Sequence, residues 1–167
     1  MDSKSTGKSA QTLAALAEGD AAPDFELPGA GGARVALSAF KGKKLVLYFY
    51  PKDDTSGCTK EAIDFNGLRE KFAKAGTAIV GLSPDSPKSH EKFCSKYDLK
   101  LTLAADESKD VLSAYGVWVE KSMYGRKYMG VERSTFLIGP DGRIAKIWRK
   151  VKVPGHAEDV LAAAKGL

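Results

Sequence analysis

The 167-residue sequence contains only two cysteines, and none of its apolar runs approaches the roughly 18 residues that cross a membrane. Two cysteines are too few for the disulfide framework of a small secreted protein, so each is expected to be either inert or redox-active in a reducing compartment. Residues 1–10 also lack the apolar centre of a signal peptide. We therefore expect a cytoplasmic protein without a membrane segment.

Histidine is equally scarce, with two residues in the chain. The histidines and cysteines lack the paired spacing of a structural metal site, so neither a metal nor another cofactor is expected. The net charge of +5 is spread along the chain, which predicts a solvated basic surface rather than a nucleic-acid site. The length fits one domain, expected at residues 20–167 after a flexible tail at 1–19.

The order of the predicted elements indicates a mixed α/β domain. Apolar runs of strand length predict strands at 44–50, 77–83 and 101–104 and a hairpin formed by 133–138 and 143–148. Helical spacing and end signals predict helices that begin at Cys58 and after Ser86, and further helices at 108–115 and 157–165. Strands alternating with helices predict a mixed β-sheet with helices on both faces.

Cys58 stands where the predicted strand 44–50 gives way, through a turn, to a helix. A helix N-terminus favours the thiolate over the thiol because of its unpaired N–H groups and partial positive charge. Cys58 follows Gly57 and precedes a polar turn, so a reactive thiol is favoured over a packed core cysteine. Ionisation alone raises reactivity by only about 10- to 30-fold, so neighbouring groups must stabilise the transition state.

The pattern Pro51-x-x-x-Thr55-x-x-Cys58, with Glu61 three residues later, resembles the active-site signature of the peroxiredoxins. Segments 45–65, 80–86, 123–126 and 133–138 are similar to the Q-type branch, the bacterioferritin comigratory proteins, and the resemblance covers roughly residues 20–165. The sequence departs from the branch at two positions. Many relatives have proline in place of Ser56, and many have a second cysteine in place of Ile63.

The resemblance implies the thioredoxin fold and a monomeric thiol peroxidase that reduces hydrogen peroxide and organic hydroperoxides. The hydroperoxide would oxidise Cys58 to a sulfenic acid, and a thioredoxin or glutaredoxin would supply the electrons for recycling. The resemblance further implies that Thr55, the backbone N–H groups at 57–58 and the guanidinium of Arg133 stabilise the reacting oxygens. Glu61 is then expected to orient Arg133, and Pro51 to shield the sulfur.

Cys94 is the only intramolecular candidate to resolve the Cys58 sulfenic acid as a disulfide. If Cys94 is instead a packed helix cysteine, the protein would be a one-cysteine peroxidase recycled by an external thiol. A third hypothesis is a redox sensor or chaperone-like binding protein, in which oxidation of Cys58 regulates a partner. Peroxide consumption with and without a reductant distinguishes these alternatives.

Overall fold

The computed structural model describes residues 15–167. The flexible tail predicted at 1–19 lies mostly outside the described residues. The part of it that is described contacts the sheet edge, because the Gly19 amide donates a hydrogen bond to the Ile144 carbonyl at 2.7 Å. The Leu16 carbonyl also accepts a hydrogen bond from the guanidinium of Arg149.

Within this described part, strands and helices alternate up to residue 114, and four successive strands and a last helix follow. The strands are β1 (Glu26–Pro28), β2 (Arg34–Ala36), β3 (Lys44–Phe49), β4 (Thr77–Ser83), β5 (Thr102–Ala105), β6 (Trp118–Met123), β7 (Arg126–Val131), β8 (Ser134–Ile138) and β9 (Ile144–Trp148). The α-helices are α1 (Ser56–Lys74), α2 (Pro87–Tyr97), α3 (Asp110–Ala114) and α4 (His156–Gly166), and short 3-10 helices span Ala30–Gly32 and Leu37–Phe40. The predicted strands and helices are present, with ends shifted by one or two residues.

The central sheet has the strand order β5-β4-β3-β8-β9. Strands β3, β4 and β5 run parallel, whereas β8 pairs antiparallel with β3 and β9 antiparallel with β8. The predicted mixed sheet is therefore confirmed. Because β3 is covered on both faces, its side chains are almost all buried, which explains the continuous apolar run in the sequence.

Side chains of β3 alternate between two hydrophobic clusters on opposite faces of the sheet. Val46 and Tyr48 belong to the cluster that includes residues of α1, α2 and α4. Leu45 and Leu47 belong to the cluster on the other face, which includes residues of α3 and of β2. The sheet thus separates two cores, and α1 and α2 lie on the same side of it.

The loop 50–55 follows the carboxyl end of β3 and leads into α1, while residues 84–86 follow the carboxyl end of β4 and lead into α2. These ends meet at one edge of the sheet because the two strands are parallel. Strand β3 lies between parallel β4 and antiparallel β8. Both cysteine-bearing helices therefore leave the sheet at one edge.

The hairpin formed by β6 and β7 was not predicted from the sequence. Within residues 15–167 these strands pair only with each other, in register from Trp118 with Val131 to Met123 with Arg126. Tyr124 and Gly125 form the two-residue turn with φ values of 52° and 78°, as a type I′ turn requires. The local signal for this hairpin is Gly125, a residue that readily adopts positive φ, between two segments of strand length.

Candidate active site

Cys58 lies in the first turn of α1, two residues later in the helix than the sequence predicted. Thr55 occupies the N-cap position with extended backbone angles, and Ser56 is the first helical residue. The backbone N–H groups of residues 56–58 have no acceptor within the helix, as at every helix start. They form a set of donors beside the sulfur, and the partial positive charge of the helix end acts at the same place.

The sulfur of Cys58 contacts the side chain of Arg133, which lies just before β8. Cys58 is 2% exposed, and Nη2 of Arg133 donates to its Sγ at 3.3 Å. Nη1 of the same guanidinium donates to Oε1 of Glu61 at 2.5 Å. Cys58 and Glu61 are three residues apart on α1 and therefore share a face of the helix. One arginine thus joins the thiol and the buried carboxylate.

Burial is the largest influence on the pKa values of Glu61 and Arg133. Burial raises the pKa of Glu61 to about 7, against the lowering effect of Arg133. Burial lowers the pKa of Arg133, but the Glu61 carboxylate and the Cys58 sulfur raise it by more, so the guanidinium stays charged. A fixed positive charge therefore lies beside the sulfur.

Gly57 leaves the space that the guanidinium occupies. A methyl group added at Gly57 would lie 3.3 Å from Nη2 of Arg133, which is closer than ordinary contact. Gly57 is the second residue of α1 and has no left-handed backbone angle, so no turn requires a glycine here. Its role in the structure is the close approach of Arg133.

Thr55 and Pro51 belong to the loop that precedes α1. The Thr55 hydroxyl donates to the Lys52 carbonyl at 2.9 Å, so its hydrogen is already used and its oxygen remains an acceptor. Pro51 is half-buried at the start of the same loop. Ile63, at the position where many relatives have a second cysteine, is 46% exposed on α1.

Cys94 lies on α2 and is half-buried, and both cysteines are free thiols. It packs against the hydrophobic cluster that contains Cys58 and Tyr48. Burial raises the pKa of the Cys94 thiol, and the charge of Asp53 raises it further. Cys94 therefore lies in an apolar environment that favours the thiol.

A buried polar network next to the site was missed in the sequence. The carboxylate of Asp53 accepts hydrogen bonds from the Tyr50 hydroxyl at 2.6 Å and from Ser89 Oγ at 2.8 Å. It also lies 2.7 Å from Nδ1 of His90, whose Nε2 lies 2.9 Å from the Ala104 carbonyl. The local signal for this network is the pair of consecutive aspartates, Asp53 and Asp54, inside the signature segment.

Among residues 15–167, one group has the spacing of metal ligands, and it consists of Asp53, Asp85 and His90. Its atoms already bind one another, because Asp85 Oδ2 accepts from the Asp53 amide and Asp53 pairs with His90. Asp53, Asp85 and His90 therefore form a hydrogen-bonded network that joins the loop 50–55 to β4 and α2. No helix in the same range has the length and apolar character that a membrane crossing requires.

Comparison with known proteins identifies the class. Residues 18–147 match the family model described as the AhpC/TSA family, and the chain belongs to this family of peroxiredoxins. The chain is thus a peroxidase enzyme of the peroxiredoxin class.

Its relatives point to one branch of that class. Peroxiredoxin Bcp of Bacillus subtilis is 49% identical over 149 residues, which cover 89% of this chain and 95% of the relative. A putative peroxiredoxin bcp of Coxiella burnetii is also 49% identical, over 86% of this chain and 95% of the relative. The expected resemblance to the Bcp and Q-type peroxiredoxins is confirmed.

Solved structures agree with this assignment. Peroxiredoxin Q of Xanthomonas campestris has a TM-score of 0.82 and 49% identity, covering 85% of this chain and 90% of that one. PrxQ of Xylella fastidiosa has a TM-score of 0.87 and 41% identity, covering 92% and 98%. The thioredoxin fold implied by the resemblance is thereby confirmed.

Proposed function

We propose that Cys58 is the peroxidatic residue of a thioredoxin-dependent peroxidase that resolves through Cys94. The observation that carries the proposal is the contact of Arg133 with both the Cys58 sulfur and Glu61. A thiolate beside a fixed guanidinium and three free helix-start N–H groups is stabilised before substrate arrives. The same donors face the oxygens on which negative charge develops as the O–O bond breaks.

In the first step, the Cys58 thiolate attacks one oxygen of the hydroperoxide. An S–O bond forms and the O–O bond breaks, and the other oxygen leaves as an alkoxide or hydroxide that takes up a proton. Cys58 is oxidised to a sulfenic acid and the peroxide is reduced to an alcohol or water. Thr55 Oγ1, whose hydrogen is committed to Lys52, is suited to accept the hydrogen of the incoming hydroperoxide.

In the second step, the Cys94 thiol condenses with the sulfenic acid. An S–S bond forms and one water leaves, and a dithiol such as thioredoxin or glutaredoxin then reduces the disulfide and is itself oxidised. Structures of Xanthomonas campestris peroxiredoxin Q with either of two cysteines changed to serine support this pairing, because those cysteines have the same separation in sequence as Cys58 and Cys94.

The proposal extends to substrate and compartment. Another Xanthomonas structure concerns the alkyl peroxide reduction activity of its bacterioferritin comigratory protein, which supports organic hydroperoxides as substrates here. Two free thiols fit a reducing compartment such as the cytoplasm. Pro51 is proposed to shield the sulfur, and the enzyme is proposed to act as a monomer.

The test follows peroxide loss and the oxidation state of each cysteine together. With thioredoxin, its reductase and NADPH, wild-type protein should consume peroxide catalytically and form a Cys58–Cys94 bond within one chain, detected by mass spectrometry of peptides. Turnover by glutathione alone, without that bond, would favour the one-cysteine alternative. A single stoichiometric oxidation that no reductant reverses would favour the redox sensor.

A further inference from the structure

Two consecutive aspartates of the Cys58 loop bind opposite ends of the Cys94 helix. Asp53 contacts Ser89 and His90 in the first turn of α2. Asp54 accepts hydrogen bonds from Lys96 Nζ at 2.8 Å and from the Tyr97 hydroxyl at 2.5 Å in the last turn. Cys94 lies between the two attachment points, so its position relative to the loop is set from both sides.

The two attachments differ in burial. His90 is fully buried and the side chain of Asp53 is 4% exposed, and both oxygens of Asp53 accept hydrogen bonds. By contrast, the side chains of Asp54 and Lys96 are 41% and 59% exposed. Breaking the buried attachment leaves charged and polar groups without partners, whereas water can replace partners at the exposed one.

The backbone of Asp54 adds a second distinguishing feature. Asp54 has a φ of 61°, in the left-handed region that a non-glycine residue adopts at some cost. Its contacts to Lys96 and Tyr97 hold its side chain in place in that conformation. Loss of these contacts therefore removes interactions that stabilise the left-handed conformation of Asp54 in the loop.

Disulfide formation requires these attachments to yield. A disulfide needs the two sulfurs at about 2.05 Å, but both thiols are free and Cys58 is held against Arg133. Because Cys58 is buried against Arg133 and Cys94 packs against the hydrophobic cluster, we expect the S–S bond to form only after α2, the first turn of α1, or both leave their packed positions. Of the two attachments on α2, the exposed one costs less to break.

We propose that Asp54 is a latch whose release from Lys96 and Tyr97 sets the rate at which Cys94 reaches the Cys58 sulfenic acid, while Asp53 and His90 anchor the other end of α2. The inference rests on the proposed resolution by Cys94. Asp54 is a positioning residue in this scheme, because it acts on the helix and touches neither sulfur. The latch also sets how long the sulfenic acid is exposed to a second peroxide, which would oxidise it to a sulfinic acid.

The test uses Lys96→Met and Tyr97→Phe, each of which removes one latch contact. Lys92→Met is the matched control, because Lys92 is an exposed lysine on the same helix and forms no salt bridge within residues 15–167. Rapid mixing with one equivalent of hydrogen peroxide, acid quenching and mass spectrometry give the rates of Cys58 oxidation and of Cys58–Cys94 bond formation separately.

Each latch variant should form the disulfide about 2- to 5-fold faster than wild type, as expected for loss of one exposed contact. The rate of Cys58 oxidation should stay unchanged, and the peroxide concentration that gives half sulfinic acid should rise by the same factor. In the reduced wild-type protein, hydrogen exchange should be faster in the last turn of α2 than in the first.

Two results would overturn the latch. Disulfide formation in Lys96→Met and Tyr97→Phe at the rate of Lys92→Met would show that the contacts do not limit release, while the proposed function stands. Absence of a Cys58–Cys94 bond in wild-type protein would instead refute the proposed resolution step, and the latch with it. The first result appears only in the comparison of variants and the second in wild type alone, so the two failures are distinguishable.

Discussion

The two cysteines lie on the same side of the sheet but in opposite chemical environments. Cys58 is buried among donors, at a helix start and 3.3 Å from the Arg133 guanidinium. Cys94 lies in the last turn of a helix beside apolar side chains, and burial raises the pKa of its thiol. Burial alone therefore does not describe the environment of a thiol, because a guanidinium faces one sulfur and apolar side chains surround the other.

The largest expected effect comes from exchanging each sulfur for oxygen. Cys58→Ser should abolish peroxide reduction, because no other group in the site provides the nucleophile. Cys94→Ser should keep the first oxidation near the wild-type rate, lose thioredoxin-dependent turnover and accumulate sulfinic acid. Peroxide loss and mass spectrometry measure both outcomes, with circular dichroism as the check that each variant is folded.

Substantial turnover by Cys58→Ser would contradict the assignment of Cys58 as the nucleophile. Normal thioredoxin-dependent turnover by Cys94→Ser would contradict the assignment of Cys94 as the resolving thiol, and Cys94 would then be a packing residue of α2.

Arg133→Gln should have the next largest effect, because it removes the charge that most distinguishes the two thiols. We expect Cys58 oxidation to slow by about 100- to 1,000-fold, as on loss of a donor to a developing oxyanion. That exceeds the roughly 10- to 30-fold that ionisation alone provides. Stopped-flow rates measured across pH test the assignment. A loss that is fully recovered at high pH would mean that Arg133 acts only on thiolate formation.

The sequence predicted the fold and the first members of this site because their signals are local. The apolar run of β3, the end signal before α1 and the signature around Cys58 all lie within residues 44–61. Arg133 came from the family resemblance, since its approach to Cys58 depends on the antiparallel pairing of β3 with β8. Nothing local in a strand-end arginine indicates such a contact.

The attachments of Asp53 and Asp54 to α2 were not predicted for the same reason. Their partners lie more than thirty residues away in sequence, and meet the loop only because parallel β3 and β4 end at the same edge. The role of Gly57 was also missed, because the sequence cannot distinguish a glycine that provides space from one that provides a turn. Such features depend on tertiary contacts rather than on local propensity.

A third prediction concerns the buried carboxylate that pairs with Arg133. The pKa of Glu61 rises from an ordinary 4.5 to about 7 on folding, so its proton stabilises the folded state fully below pH 4.5. That contribution is lost as the pH rises to about 7. Relative to Glu61→Gln, wild-type protein should lose about 3 kcal/mol of unfolding free energy over this window. Urea unfolding of the reduced proteins at several pH values measures the difference.

His156 makes the subtraction necessary, because it titrates over nearly the same range with the opposite sign. Burial lowers its pKa to about 4, so its contribution to stability is lost as the pH falls from about 6.5. His156 is present in both proteins and cancels in the difference between them. A difference that is flat from pH 4.5 to 7 would show that Glu61 ionises beside Arg133 at its ordinary pKa.

The smallest expected effect comes from displacing Arg133 relative to Cys58, and a second variant on α1 controls for the change in helix stability. Gly57→Ala places a methyl group 3.3 Å from Nη2 of Arg133, so the guanidinium must shift by a few tenths of an ångström. We expect Cys58 oxidation to slow about 3- to 10-fold, because donor strength falls steeply with misplacement.

The matched control is Gly67→Ala on the same helix, where an added methyl group meets no atom within 4 Å. Gly67→Ala should stabilise the protein by about 0.5–1 kcal/mol without changing the rate. Equal oxidation rates in the two variants would mean that Arg133 tolerates displacement, and that the difference between the two thiols arises mainly from the helix start.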